Sequence, residues 1–255
     1  MTKIEDRLGE ENINNQGCLM KIIEYNSYND IKVEFQDKNK YKCKARYYEF
    51  KIGKIKNRYH KTVYNIGYLG EGEFPISIRG KSTNYYNHWY SMFKRCYNEN
   101  FVYYSNYKDC TVCEEWHNFQ NFAKWYNENR WSEDCLCVDK DILKKGNKVY
   151  GSETCVLVDN KLNGLFIKAN EKRGDYPIGV YYKKSSKRYG AVCCLGSEFQ
   201  RHLGYYDTPI DAFNVYKSFK ESYIKQVADE YKLKYSSFPQ KLYDALYNYE
   251  VEITD

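Results

Sequence analysis

The sequence contains little of what would place it in a common class of protein. Aliphatic residues are scarce: 42% of the 255 residues are hydrophobic, but 30 residues of the chain are tyrosines, and the mean hydropathy is −0.83. This excludes one large aliphatic core and favours several small modules with aromatic cores. No apolar run approaches the ~18 residues that a membrane-spanning helix needs, so no membrane contact is predicted. Residues 1–17 are polar, and no secretory signal peptide is predicted either.

Ten cysteines are present without a secretory signal, which predicts a soluble protein in a reducing cytoplasm. In that compartment most of them are expected to be buried thiols that pack like small apolar side chains. Alternatively, four of them could form a zinc site, because two thiolates separated by two residues are typical zinc ligands, although the second pair is separated by only one residue. These four are Cys110, Cys113, Cys135 and Cys137.

Positive charge is concentrated in two segments, although the net charge of the whole chain is only +6. Residues 38–61 contain ten Lys and Arg against one acid, and residues 168–201 contain eight against three. Tyrosines are interleaved with both, a pattern that predicts a polyanionic partner such as nucleic acid. Lys42, Lys44 and Arg46 fall on one face of a predicted strand and could follow a phosphate backbone. Ordinary solvated, lysine-rich surfaces would give the same pattern.

The N-terminal segment alternates as short, half-buried strands do. Ile31, Val33 and Phe35 alternate with polar residues, and a second alternating run follows a turn at residues 37–39. Short strands joined by tight turns predict a small SH3-like β-barrel over residues 1–76.

The central segment begins with two predicted helices. Trp89, Met92, Phe93 and Cys96 recur at helical spacing, and a second apolar stripe runs from about residue 114 to residue 126. The two helices are expected to pack together through these stripes.

Residues 138–163 predict two strands followed by a helix. The first strand ends in Asp139-Lys140-Asp141, a turn follows at residues 146–147, and the helix begins near Asp159. Asp139 and Asp141 with Asn163 could bind Mg²⁺, because hard cations prefer carboxylate and amide oxygens. The alternative is a structural ion pair between Lys140 and Asp141, with Asn163 capping the helix.

Three strands and one helix are predicted near the C-terminus. The strands lie near residues 178–182, 189–195 and 199–205. The helix begins at Thr208-Pro209-Ile210-Asp211, with Thr208 as N-cap and Asp211 as the capping acid. A twisted three-stranded sheet can lie in the major groove of DNA. The candidate DNA-contacting residues are Tyr182, Lys183, Lys184, Lys187, Arg188 and Arg201.

This C-terminal segment resembles AP2-type DNA-binding domains. The resemblance is carried by residues 179–182 (GVYY), by Arg188-Tyr189 with Ala191, and by residues 202–216 (HLGYYDTPIDAFNVY). The sequence departs from the family where Tyr189 stands in place of a strand tryptophan. The resemblance implies a three-stranded sheet with one helix and direct contact with double-stranded DNA.

Residues 83–166 resemble phage-encoded homing endonucleases of the HNH type, which often join an HNH-like core to an AP2-type domain. HWYSMFKRCYN, YKDCTVCEEWHNF and VDKDIL followed by GNKVYGSETCVLV carry this resemblance. It implies that Asp139 matches the acid before the catalytic histidine, Lys140 the histidine itself, and Asn163 a metal ligand. Because a lysine stands where the base belongs, it implies a degenerate catalytic site with at most one Mg²⁺ at Asp139 and Asn163.

The sequence therefore predicts an α+β protein of several modules. These are an SH3-like barrel (1–76), a degenerate HNH-like ββα core (77–170), an AP2-like DNA-binding domain (171–235) and a C-terminal tail (236–255). The predicted function is phage-type binding of double-stranded DNA in the cytoplasm of an infected bacterium, with catalysis impaired. Two alternatives stay open: an active metal-dependent nuclease or nickase, and an anti-defence protein that binds and inhibits a nucleic-acid enzyme of the host.

Overall fold

The computed structural model describes residues 7–166, 175–195 and 200–253. Several predicted features lie outside the described residues: Lys168, Lys172 and Arg173 of the second basic segment, the module boundary at residues 170 and 171, and residue 199 of the third C-terminal strand. The chain belongs to the mixed α+β class, with several small sheets, as predicted. No helix in the described ranges has both the length and the apolar character needed to cross a bilayer.

Two compact units make up the chain. The first comprises residues 1–108 and 112–124, and the second comprises residues 109–111 and 125–255. The predicted division into four modules stays a prediction.

The first unit begins with a four-stranded antiparallel sheet in the order β1-β2-β3-β4. Its strands are β1 (Glu11–Ile13), β2 (Leu19–Ser27), β3 (Asp30–Phe35) and β4 (Lys42–Ala45), and the short helix α1 (Tyr47–Lys51) follows. The predicted alternation is confirmed in β3, where Ile31, Val33 and Phe35 are fully buried. They pack with Met20, Ile22, Tyr47, Phe50 and Ile55 to form the core under this sheet.

The rest of the first unit is mainly helical. A two-stranded hairpin, β5 (Ser77–Ile78) and β6 (Lys81–Ser82), precedes α2 (Asn84–Tyr97) and α3 (Tyr104–Tyr107). The predicted stripe of α2 is confirmed, since Trp89, Met92, Phe93 and Cys96 are all buried. After β7 (Thr111–Val112), the second predicted helix is divided into a 3₁₀ turn, Glu114–His117, and α4 (Phe119–Glu128). The division falls at Asn118, whose backbone is extended.

The second unit contains the two strands and the helix predicted for residues 138–163. Strands β8 (Cys137–Asp139) and β10 (Val156–Val158) pair antiparallel, β9 (Val149–Tyr150) lies between them in the chain, and α5 (Asn160–Gly164) follows. Trp131 lies under this group, and its indole N–H donates to the carbonyl of Leu157 at 2.7 Å.

A three-stranded antiparallel sheet and a long helix complete the second unit. The sheet has the order β11 (Val180–Lys183), β12 (Arg188–Cys194), β13 (Gln200–Tyr206), followed by α6 (Pro209–Lys234) and α7 (Gln240–Tyr247). The predicted cap of α6 is confirmed, since the Thr208 hydroxyl accepts the N–H of Asp211. One face of the sheet is packed against α6 through Val180, Ala191, Cys193, Ala212, Phe213 and Tyr216. The other face of the sheet is not covered by α6.

Candidate nucleic-acid interface

Asp139, the predicted metal ligand and catalytic acid, closes a tight turn at the end of β8. One of its carboxylate oxygens accepts the backbone N–H groups of Asp141 and Ile142, both at 2.8 Å. Burial raises the pKa of this carboxyl, and the two backbone N–H groups oppose the rise. Through these two bonds the Asp139 side chain stabilises the turn at residues 139–142.

Lys140 is buried, and its ammonium group is held by three acceptors. Its Nζ lies 2.8 Å from each carboxylate oxygen of Asp141 and donates to the carbonyl of Asn147 at 2.7 Å. An ammonium group has three N–H donors, so all of them are used here. The pair of Lys140 and Asp141 is the structural ion pair predicted as the alternative to a functional role for Lys140. Because all three N–H groups are used, Lys140 has no donor left for a phosphate.

Asn163 lies within α5. The N-terminal cap of that helix is Asp159, whose side chain accepts the N–H of Leu162 at 2.8 Å, so Asn163 does not have the capping role. No group of three or more His, Cys, Asp or Glu side chains in the described part of the chain is placed to hold a metal ion. The magnesium site at Asp139, Asp141 and Asn163, which includes an asparagine, stays a prediction.

The four cysteines predicted as an alternative zinc site, all within the described residues, are not brought together as one. They differ in environment: Cys110 is buried, Cys113 and Cys137 are half-buried, and Cys135 is exposed. The thiol of Cys137 instead faces the side-chain oxygen of Asn160 at 3.8 Å. The four-thiolate prediction is corrected accordingly, because a tetrahedral site needs all four sulfur atoms within about 2.3 Å of one point.

Asp139→Asn is expected to leave the protein at least as stable as the wild type at pH 7. An asparagine oxygen accepts the same two backbone N–H groups, and the substitution removes a carboxylate whose ionised form is disfavoured by burial. A carboxyl with a raised pKa in the folded state costs stability above that pKa. The advantage of the variant should therefore shrink as the pH falls toward 3.8, the ordinary value for aspartate. Melting temperatures measured between pH 4 and pH 7 test this, and a loss of stability at pH 7 would contradict it.

The open face of the three-stranded sheet carries aromatic and cationic side chains. We call it the aromatic face and define it by Tyr181, Lys183, Arg188, Gly190, His202 and Tyr205, which the strand register places on the side opposite α6. Tyr181 and Tyr205 both lie opposite Gly190, and Lys183 lies opposite Arg188. The ring of His202 packs against that of Tyr205, with 4.5 Å between their centroids.

Hydrogen bonds fix the polar groups of the aromatic face. The ammonium of Lys183 donates to the Tyr205 hydroxyl at 2.9 Å and lies 4.5 Å from the centroid of that ring. The Tyr181 hydroxyl donates to the same oxygen at 3.3 Å. The bond from Lys183 lowers the pKa of the Tyr205 hydroxyl, whereas the bond to Tyr205 raises the pKa of Tyr181. A cation and two phenols are therefore positioned together on an exposed surface.

Gly190 forms the floor of the aromatic face and was not among the predicted site residues. A Cβ atom at this position would lie 2.5 Å from Cζ of Tyr181, so the tyrosine ring lies directly over the glycine backbone. A glycine inside a strand often marks such a close approach, and this signal in the sequence could have identified the position.

The predicted DNA-contacting residues do not all lie on the aromatic face. Lys184 and Lys187 are exposed in the turn between β11 and β12, and Arg188 is paired with Asp207 at 3.0 Å. Tyr182 and Arg201 are on the side that faces α6: Tyr182 packs against Tyr189, and the Arg201 guanidinium lies 5.1 Å from the ring of Phe219. The structure thus divides the predicted set between the two faces and the turn.

The basic strand of the first unit has the predicted alternation. Lys42 and Lys44 are exposed, while Cys43 and Ala45 pack against the core. Lys42 forms an ion pair with Glu34 at 3.2 Å and lowers the pKa of that carboxyl. Arg46, just before α1, is exposed as well. Acids and bases are mixed on this surface, so its local field is weaker than the count of basic residues alone indicates.

The aromatic face and the adjoining turn thus combine exposed cations, tyrosine hydroxyls and planar rings on one rigid sheet. Such groups are suited to contacts with phosphates and with the edges of bases. No protein-family model, curated protein or solved structure matches this chain.

Proposed function

We propose that this protein binds double-stranded DNA through the sheet β11–β13. Its frame would be that of a phage-encoded HNH homing endonuclease, with an AP2-type domain as the DNA-binding part and a degenerate catalytic core. The observation that carries the proposal is the aromatic face, one open side of a sheet whose other side is packed against α6.

The geometry supports a division of tasks on this surface. A three-stranded sheet fits the width of the major groove, and side chains on its open face reach the edges of bases. Lys184 and Lys187, in the exposed turn, would contact phosphates and set the register of the sheet on DNA. Lys183, Tyr181 and Tyr205 would offer donors toward the bases.

Catalysis is not part of the proposal. In an HNH-like frame Lys140 would occupy the position of the base; it is held by Asp141 and Asn147, and an ammonium cannot accept a proton from water. Incubation of supercoiled plasmid with the protein and Mg²⁺ or Mn²⁺ should therefore leave the plasmid intact. Nicking that depends on Asp139 would instead favour the nuclease alternative.

In the first unit, an SH3-like barrel with Lys42, Lys44 and Arg46 would add contacts to the DNA backbone. Its contribution should be small, because the ion pair between Lys42 and Glu34 competes with a phosphate for the ammonium group.

The affinity for a duplex of about 25 base pairs is expected to fall by about 100-fold between 50 and 200 mM salt, as release of roughly four counterions requires. Replacing Lys184 with Gln and Lys187 with Asn should weaken binding by about 10-fold at low salt and reduce the salt slope by about two. Asparagine suits residue 187 because Lys187 has a positive φ of 52°. Fluorescence anisotropy with a labelled duplex measures both quantities.

The matched control is Lys234→Gln with Lys241→Gln, which removes the same charge from exposed positions of α6 and the N-terminal turn of α7. Its affinity should stay within about twofold of the wild type. Equal losses in the two double variants, or an affinity indifferent to salt, would contradict the proposal. Weak DNA binding together with a tight complex with a host defence protein would favour the anti-defence alternative.

A further inference from the structure

A cleft in the first unit brings a thiol and an imidazole together. The cleft has a volume of about 440 Å³ and lies where the chain enters β2, against residues 57–61. Cys18 and His60 both line it, and the Sγ atom of Cys18 lies 3.4 Å from Nδ1 of His60. This distance is within hydrogen-bonding range for sulfur, so the thiol can donate its proton toward the ring.

The local backbone holds this pair in place. The side-chain oxygen of the buried Asn14 accepts the N–H of Cys18 at 2.8 Å, and its amide donates to the carbonyl of Ile55 at 2.8 Å. On the other side of the cleft, the N–H of His60 donates to the carbonyl of Asn57. Cys18 and His60 therefore face each other from two segments that Asn14 ties together.

Burial in the cleft favours the protonated form of the Cys18 thiol. Burial raises the pKa of Cys18, the carboxylate of Asp37 acts in the same direction, and the Asn57 side chain opposes them. Asp37 is itself held by the Asn57 amide at 2.6 Å. A protonated thiol is a poor nucleophile, so reaction at Cys18 requires a neighbouring base, and the ring nitrogen of His60 is at the right distance to serve.

We propose that Cys18 is a site of covalent modification by small disulfides, with His60 as the base that activates its thiol. In this step the proton of Sγ moves to Nδ1 of His60, and Sγ attacks one sulfur atom of the disulfide. The S–S bond of the reagent breaks, its second half leaves as a thiolate, and that thiolate takes up the proton from the imidazolium. The products are a mixed disulfide on Cys18 and one free small thiol, so the reagent itself supplies the oxidising equivalents.

The cleft suits a disulfide of moderate size that carries both charges. Lys61 and Asp37 line it together with the Tyr59 ring and Gln36, which gives a cation, an anion, an apolar surface and a polar group around the sulfur atom. Cys43, in the same unit, is also half-buried and has a raised pKa from burial, but its side-chain partner is the Tyr41 hydroxyl, which is no base at neutral pH. Cys43 therefore serves as the internal comparison.

The test is the rate at which oxidised glutathione forms an adduct at each cysteine of the full chain at pH 7, resolved by peptide mass spectrometry. Cys18 should be modified at least 10-fold faster than Cys43, and His60→Ala and His60→Gln should each slow the reaction at Cys18 by about 10-fold or more. Glutamine retains a polar group beside the thiol, so the loss in His60→Gln identifies proton transfer rather than packing as the cause.

The exposed Cys194 in the second unit gives the reference rate of an exposed thiol with the same reagent, and this rate should be the same in all variants. His202→Ala removes an exposed histidine from the aromatic face and should leave the Cys18 rate unchanged. The proposal is overturned if Cys18 reacts no faster than Cys43, or if its rate is the same in the wild type and in His60→Gln. If His60→Ala unfolds the first unit, the buried Cys96 of that unit becomes reactive too, and the comparison then rests on His60→Gln.

Discussion

Lys140→Ala is expected to lower the free energy of unfolding of the second unit by about 3 kcal/mol. The substitution removes a buried ammonium and leaves the buried carbonyl of Asn147 without its donor. It also leaves a void in place of the buried lysine stem and removes the ammonium, whose Nζ lies 6.0 Å from the centroid of the Tyr150 ring. Scanning calorimetry of the full chain, with the second unit followed through its own transition, measures the loss.

Two further variants separate the contributions to this effect. Lys140→Met keeps the volume of the stem and removes only the charge and its hydrogen bonds, so a loss of about 2 kcal/mol is expected. Asp141→Asn should cost less than about 1 kcal/mol. The carboxylate of Asp141 is half-exposed, so water can take its place beside the Lys140 ammonium. Equal losses in Lys140→Met and Asp141→Asn would mean that the ion pair, rather than the bond to Asn147, stabilises this turn.

The Lys140→Met variant also tests whether Lys140 takes part in the proposed binding of DNA. If Lys140 is structural, Lys140→Met should bind DNA within about twofold of the wild type at a temperature where both are folded. A loss near 10-fold, equal to that of the Lys184 and Lys187 double variant, would assign Lys140 to the interface and contradict the geometry described above.

Local patterns in the sequence predicted most of the secondary structure. The helical spacing from Trp89 to Cys96 gives the buried stripe of α2, and Thr208 with Asp211 gives the start of α6. These features depend on residues three or four positions apart, and such spacing is encoded directly in the chain. The alternation in β3 is of the same kind.

The surroundings of Lys140 could not be predicted in the same way. Its environment depends on the carbonyl of Asn147, seven residues away, which points inward only because the Asn147 amide donates to the carbonyls of Lys140 and Val149. Nothing in the order of residue types shows the direction of a backbone carbonyl. The sequence therefore left two roles open for Lys140, and the geometry favours one.

The face on which Arg201 lies depends on a bulge in β13, whereas the ordinary alternation of β11 separates Tyr182 from Lys183. Strict alternation would place Arg201 and Tyr205 on the same face, because they are four residues apart. The register instead shifts between Ala191 and Val192 of the partner strand, where Gly204 has a φ of 126°. Tyr205 is then opposite Gly190, while Arg201 is opposite the buried Cys193. A bulge of this kind moves every residue beyond it to the opposite face of the sheet. The sign of this bulge in the sequence is a single glycine, Gly204.

Gly179→Ala is expected to have the largest effect of all, a loss of about 4 kcal/mol in the free energy of unfolding of the second unit. Gly179 has a φ of 77°, a conformation that costs alanine energy, and a Cβ there would overlap the ring carbons of Tyr216. Tyr216 is buried in the core between the sheet and α6, so the ring has little room to move. The carbonyl of Gly179 also accepts the N–H of Val192 at 2.8 Å, and its displacement would disturb β12.

Gly146→Ala separates the two causes of this loss. Gly146 has a similar φ of 71°, is exposed, and has no atom within 4 Å of an added Cβ. Gly146→Ala should therefore lower the free energy of unfolding only by the backbone cost of about 1 kcal/mol. The difference between the losses in the two variants then measures the cost of the overlap with Tyr216. At roughly 3 °C per kcal/mol for a unit of this size, the transition should shift by about 12 °C in Gly179→Ala and by about 3 °C in Gly146→Ala. Equal shifts would mean that Tyr216 yields without cost, and the packing of α6 on the three-stranded sheet would then be looser than its buried side chains indicate.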